Sequence, residues 1–232
     1  MKRREWLGWG AAALGLALPA RAEKPEDSVD VKPLPAPSDA TVLFDGKNLA
    51  AWVNRRDGAA AGWTVRDGYM EVRPRNGDII TKELFEDCRL HLEFWLPLMP
   101  DAKGQARANS GVYVQGRYEV QILDSYGLDS RDNDCGGIYK VAKPLVNACK
   151  KPEFWQSYDM EFRAPRFNDA GQQTSRGRIS VRHNGVPIHR NTEFDAQVTT
   201  AGLPGDLTKP GPLLLQDHSN LVRFRNVWIV RL

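Results

Sequence analysis

Cys88-Arg-Leu-His-Leu-Glu-Phe-Trp-Leu96 alternates without a break, with Cys88, Leu90, Leu92, Phe94 and Leu96 on one side of an extended chain and Arg89, His91, Glu93 and Trp95 on the other. A period of two is what a strand with one face on a core requires. The flanking sequence carries the punctuation of further strands. Trp63 to Arg73 reads as two short strands about an Asp67-Gly68 turn, and Arg178 to His189 as two more about Asn184-Gly185. Both dipeptides accept the positive φ that a tight hairpin demands. Val222 to Leu232 closes the chain with another run rich in Val, Ile, Phe and Trp. Outside the first residues, no window longer than about ten residues carries a capped helical period. Many short strands with turns between them, over about 190 residues, specify an all-β fold: a two-sheet antiparallel β-sandwich, with a closed barrel as the alternative.

The 232 residues are 41% hydrophobic and 26% charged, as in a globular protein. The formal charge of +3 is concentrated at one end. Residues 1–22 hold Lys2, Arg3, Arg4 and Arg21 against Glu5, which leaves 28 basic and 28 acidic side chains in the remainder (32 − 4 and 29 − 1). A neutral body without a Lys/Arg run offers little counterion release, so nucleic acid is not an expected partner. Lys2-Arg3-Arg4, the uncharged stretch from Trp6 to Leu18, and Ala20-Arg21-Ala22 form the regions of an export signal, with cleavage expected after Ala22. The apolar run is shorter than a bilayer span. A periplasmic or secreted protein is therefore expected, with no membrane span after signal removal. Residues 23–40, with Pro25, Pro33, Pro35 and Pro37, read as an extended, mobile linker ahead of a body that starts at Thr41. Of the three cysteines, Cys88 belongs to the strand quoted above. Cys135 and Cys149 flank a short segment that a disulfide could close in an oxidising compartment, and the set matches no zinc motif.

Asn109-Ser-Gly-Val-Tyr-Val-Gln-Gly-Arg-Tyr-Glu-Val-Gln-Ile-Leu-Asp-Ser125 reads as two adjoining strands. In the second, Tyr118, Val120 and Ile122 take the core side, so Arg117, Glu119 and Gln121 share the other. Asp124 points away in a regular strand, and one bulge would return it to the face of Glu119. Two carboxyls about a sugar ring apart suit the acid and second carboxylate of glycoside cleavage. The same pattern also describes an ordinary solvated sheet face. Gly211-Pro-Leu-Leu-Leu-Gln-Asp-His218 is an apolar run ending in Gln216, Asp217 and His218, a binding rim or proton shuttle on one reading and a turn on the other. His91 shares a face with Arg89 and Glu93, while His183 and His189 flank a hairpin and are expected to be exposed. Asp129, Asp132 and Asp134 lack the glycine and distal Glu of a calcium loop and read as solvated. Trp52, Trp63, Trp95, Trp155 and Trp228 are mostly core rings by expectation, though flat rings also suit sugar stacking.

Leu43-Phe-Asp-Gly-Lys-Asn-Leu49 with Trp52, Asn109-Ser-Gly-Val-Tyr113, Glu119-Val-Gln-Ile-Leu-Asp124, Trp155-Gln-Ser-Tyr-Asp159 and Leu214-Leu-Gln-Asp-His218 together resemble the 3-keto-disaccharide hydrolase domain family, in its order and over roughly residues 40–232. The resemblance implies a concanavalin A-like jelly roll, similar to the laminarinase-type glycoside hydrolases. Those enzymes carry E-x-D-x-x-E on a strand of their cleft, which Glu119-x-Gln121-x-x-Asp124 matches in spacing alone. The Gln and the terminal Asp speak against direct retaining hydrolysis of an unmodified sugar. The implied chemistry is cleavage of a sugar with a ketone at C3. The ketone acidifies the C2 proton, a base removes it, and the C1 group leaves with an acid's help, by elimination or net hydrolysis. Glu119 and Asp124 are then the expected acid and base, with His218 as rival base and Arg117 as stabiliser of the enolate. Gln121 and Gln216 would orient hydroxyls, and Asn109, Tyr126 and Asp217 complete the expected substrate-binding set. No cofactor or metal ligand is expected, with an assisting divalent ion such as Ca²⁺ left open. The expected partner is a carbohydrate, an oxidised disaccharide or glucoside. The alternative function is a non-catalytic carbohydrate-binding sandwich.

Overall fold

Fifteen strands and two 3-10 turns, Pro25–Ser28 and Gly104–Ala106, form the regular structure of residues 24–232, the part of the chain that this computed structural model describes. The export signal expected over residues 1–22 lies outside the described residues. With strands numbered in chain order, the larger sheet runs β13 (Val186–Phe194), β12 (Gly177–His183), β9 (Gln156–Arg163), β6 (Cys88–Trp95), β15 (Arg223–Arg231), β4 (Tyr69–Glu71) and β3 (Thr64–Arg66). β1 (Thr41–Phe44) continues the edge of β15 that β4 begins. The smaller sheet runs β2 (Trp52–Asn54), β5 (Ile79–Phe85), β14 (Gly211–Leu215), β7 (Asn109–Val114) and β8 (Tyr118–Leu123). β10 (Arg166–Phe167) and β11 (Gln173–Ser175) form a separate ribbon. The ladders are antiparallel, as in a jelly-roll sandwich.

The core lies between the two sheets, where the alternation places it. Leu90, Leu92 and Phe94 of β6 face Tyr118, Val120 and Ile122 of β8 in one continuous buried cluster. Tyr118 packs 5.6 Å from Phe162 and 4.6 Å from Phe194, ring centre to ring centre. The hairpins turn where the sequence places them, at Asp67-Gly68 (φ 50° and 80°) and Asn184-Gly185 (φ 53° and 79°). Positive φ at both central residues matches the twist of the flanking strands.

Two expectations are corrected, and the question of the cysteines is answered. The Pro-rich segment opens with the 3-10 turn Pro25–Ser28, and the rest of it is held in place. The Val31 N–H donates to the Trp155 carbonyl (3.1 Å), and the Leu34 carbonyl accepts from Asn226 Nδ2 (2.8 Å) and Trp228 Nε1 (3.2 Å). The segment crosses the outer face of the larger sheet and covers His91 and Glu93, which the alternation alone would leave in solvent. There Glu93 pairs with Arg225 (2.6 Å) and His91 with Asp159 (2.7 Å). His183 and His189 are buried, because the 126–150 loop folds back onto β13. His189 Nε2 bonds the Gly136 carbonyl (2.8 Å), and His183 Nε2 bonds Gln156 Oε1 (3.0 Å). The cysteines are all buried free thiols, with Cys135 and Cys149 hydrogen-bonded neighbours and not a disulfide. Of the tryptophans, Trp52, Trp63 and Trp228 are buried, while Trp95 and Trp155 lie under the guanidinium groups of Arg223 (4.0 Å) and Arg225 (4.2 Å).

Candidate functional site

Cross-strand register assembles two rows of side chains on the outer face of the smaller sheet. Leu214 of β14 stands between Ile80 of β5 and Tyr113 of β7, and Tyr113 pairs in turn with Glu119 of β8. The adjacent row contains Gln216, Gly111 and Gln121, with Asp78 and Arg55 at its far end. Four segments distant in sequence therefore contribute to one surface.

Glu119 is the centre of this surface. A Cβ on Gly111 would lie 2.5 Å from Glu119 Oε1 and 2.8 Å from the Tyr113 ring, so the carboxyl occupies space that only a glycine leaves open. The Tyr113 hydroxyl accepts from Gln216 Nε2 at 2.9 Å, which leaves its own proton for the hydrogen bond to Glu119. Glu119 is 3% exposed. Burial pushes its carboxyl up to about 7, the Tyr113 hydrogen bond pulls against that rise, and the charge of Asp78 adds to it. Burial raises the Tyr113 phenol strongly as well, helped by the charge of Glu119, so it stays a protonated donor.

The walls are held by side chains that grip backbone. Thr199 Oγ1 accepts the Glu119 N–H (3.2 Å) and donates to the Arg117 carbonyl (2.7 Å). Arg55 pairs with Asp78 (2.8 Å) and donates to the Ala201 carbonyl (2.9 Å). On the other side, Gln121 Nε2 donates to Gln105 Oε1 (3.1 Å), and Asn109 Nδ2 donates to the Gln105 carbonyl (2.9 Å). The buried Asn109 Oδ1 has no hydrogen-bond partner among the described residues.

The structure thus brings together Glu119, Gln121, Gln216 and Asn109. It places the other expected residues elsewhere. The β7–β8 ladder runs from Asn109↔Leu123 to Val114↔Tyr118 without a register shift, so the bulge needed to turn Asp124 toward Glu119 is not there. Asp124 instead pairs with Arg107 (2.6 Å). The Arg117 guanidinium donates to the carbonyls of Asp206 (2.9 Å) and Lys209 (2.8 Å), fixing the loop before β14. Tyr126 reaches Asp27 (3.4 Å). Asp217 accepts the N–H groups of Gly77 and Ser219 (2.8 Å each), and His218 beside it is exposed. Sequence reasoning missed Gly111, Tyr113, Thr199, Asp78 and Arg55. Only Gly111 and Tyr113 left a signal, since they share the alternate face of β7 with Asn109. No group of three or more His, Cys, Asp or Glu converges to hold a metal ion among the described residues.

The described residues form an antiparallel β-sandwich with a buried carboxyl, pushed up to about 7, on the outer face of its smaller sheet. The chain belongs to the 3-keto-alpha-glucoside-1,2-lyase-like domain family, whose profile matches residues 39–230. A solved protein of Parabacteroides distasonis named "putative glycosyl hydrolase" is 38% identical, with a TM-score of 0.78 over 90% of this chain and 97% of that one. Two further proteins of that organism, similarly named, share the fold at 20% and 23% identity, with TM-scores of 0.59 and 0.56. Each aligns with 83% of this chain, and 94% and 99% of their own chains are covered. No curated protein matches the chain. No helix among the described residues is long and apolar enough to cross a membrane.

Proposed function

We propose that the protein cleaves a glycoside whose sugar carries a ketone at C3, with Glu119 as the base that takes the C2 proton. The observation that supports this is the buried Glu119 carboxyl, raised to about 7 and held over Gly111 by Tyr113. A base is most effective when its pKa lies near the working pH, and a C2 proton beside a ketone is acidic enough for such a base. As the C2–H bond breaks, its proton passes to Glu119 and its electron pair becomes the enolate. The enolate then expels the C1 oxygen, which departs with the bonding pair and takes up a proton. With Asp124 committed to Arg107, Glu119 itself is the group that holds a proton to return. Elimination alone makes the enzyme a lyase, and addition of water at C1 makes the outcome a hydrolysis. Gln121, Gln216 and the free Asn109 Oδ1 are the groups we assign to the sugar hydroxyls. The roles of Arg117, Asp124, Tyr126 and Asp217 in this reading are to hold the loops around the site, with His218 on its rim. The signal read in residues 1–22 puts the reaction outside the cytoplasm.

The test is turnover of a 3-keto-glucoside beside the unoxidised glucoside. Cleavage of the keto sugar alone, reduced about 10²–10⁴-fold by Glu119→Gln, is the expected result. Sugar binding without turnover of either compound would instead favour the non-catalytic carbohydrate-binding module.

A further inference from the structure

A cavity of about 410 Å³ opens over the ends of β2 and β5, lined by Arg55, Arg56, Arg75, Asp78, Asp217 and Ser219 among others. Its acids are already satisfied. Asp78 is paired with Arg55 and accepts the Asp217 N–H (2.9 Å), and the Asp217 carboxylate accepts the Gly77 and Ser219 N–H groups. Its remaining arginines are not. Neither Arg56 nor Arg75 has a carboxylate within 4.0 Å among the described residues. Both are exposed. The Arg56 guanidinium lies against Gly77, 3.5 Å from where a Cβ would stand, and Arg75 holds a left-handed conformation (φ 67°) that a long side chain rarely adopts.

The cavity adjoins the Glu119 site. Arg55 is common to both: it lines the cavity and reaches the Ala201 and Gly202 carbonyls of the segment beside Glu119. β5 stands three strands from β8, about 14 Å at the usual strand spacing, the reach of a short oligosaccharide and not of a single sugar. We infer that this cavity is a subsite for an anionic substituent, a carboxylate or sulfate ester, on a sugar unit beyond the one that reacts at Glu119. A guanidinium fork matches either group with paired hydrogen bonds. This assignment rests on the site proposed above and adds a class of substrate to it: acidic oligosaccharides bind ahead of neutral ones.

The experiment compares KM for a 3-keto disaccharide with a neutral, a uronic acid or a sulfated second unit, in the wild type and in the Arg56→Ala/Arg75→Ala double variant. Calorimetric titration of the three unoxidised disaccharides runs alongside. Wild type is expected to prefer at least one acidic form by about ten-fold or more. The double variant should collapse that ratio toward one, as should raising salt from about 0.1 to 1 M, which shortens the screening length from about 10 to about 3 Å. The arm showing the preference identifies carboxylate or sulfate. Equal KM and affinity for all three sugars in the wild type, or a variant that weakens all three alike, overturns the subsite. If no keto sugar turns over but an acidic disaccharide binds in an arginine-dependent way, the subsite stands and the C2-proton reading fails.

Discussion

Glu119 shows how one residue's environment sets both stability and chemistry. A carboxyl whose folded-state pKa is raised stabilises the fold fully below its ordinary value, and that contribution is lost as pH rises through the folded value. For Glu119 the window runs from about 4.5 to about 7. Glu119→Gln stays neutral throughout. Relative to wild type, it should therefore be more stable at pH 8 than at pH 5, by roughly 3 kcal/mol in the difference. Melting curves of both proteins at the two pH values measure this, and an unchanged difference would mean that the carboxyl is not held in its raised state. The residues around it differed in how far the sequence revealed them. Period two along Tyr118–Leu123 is enough to put Glu119 and Gln121 on one face. The parity that separates Asp124 from that face is equally plain, and only an imagined bulge joined them. Asp78 and Arg55 left no signal, because their place depends on register between strands far apart in the chain.

At the scale of elements, the segment before β1 decides how the larger sheet is finished. Its prolines and lack of apolar period predict an extended chain and leave out the 3-10 turn at Pro25–Ser28. They do not reveal that its Leu34 carbonyl meets donors from β15. Asn226 supplies the main one: it sits at φ 49° where the β6–β15 register shifts, and its amide donates to both the Leu34 carbonyl and Glu93 Oε1 (2.8 Å each). Asn226→Gly keeps the left-handed backbone accessible and removes both bonds. It should cost about 1–3 kcal/mol and speed amide exchange across residues 29–36. Unchanged exchange there would show that the segment is held by something other than this contact. The histidines of β12 and β13 teach a related lesson. A hairpin flank reads as exposed in sequence, yet the 126–150 loop covers it, and no local pattern records where a long loop returns.

For the molecule as a whole, the division of labour is between a larger sheet, whose outer face is solvated at Arg89, Glu161 and Arg182 and covered over His91 and Glu93, and a smaller sheet whose outer face carries the site. Two sheets back to back need only alternation and turns, and these were legible from Cys88–Leu96 and the Asp-Gly and Asn-Gly hairpins. The site needed the assembled sheet. Strands β5, β14, β7 and β8 bring Asp78, Gln216, Tyr113 and Glu119 within one surface, and Gly111 leaves room for the carboxyl. The central claim is that this carboxyl removes the proton on C2 of a 3-keto sugar. The most direct measurement is exchange of that proton with solvent deuterium, followed by NMR on a 3-keto-glucoside incubated with wild type or Glu119→Gln. The account predicts that wild type removes the original C2 hydrogen from the product, leaving no hydrogen at C2 after elimination or solvent deuterium there after water adds, at a rate that Glu119→Gln lowers about 10²-fold or more. Exchange at the wild-type rate in Glu119→Gln, or cleavage by wild type with C2 fully protiated, would contradict it.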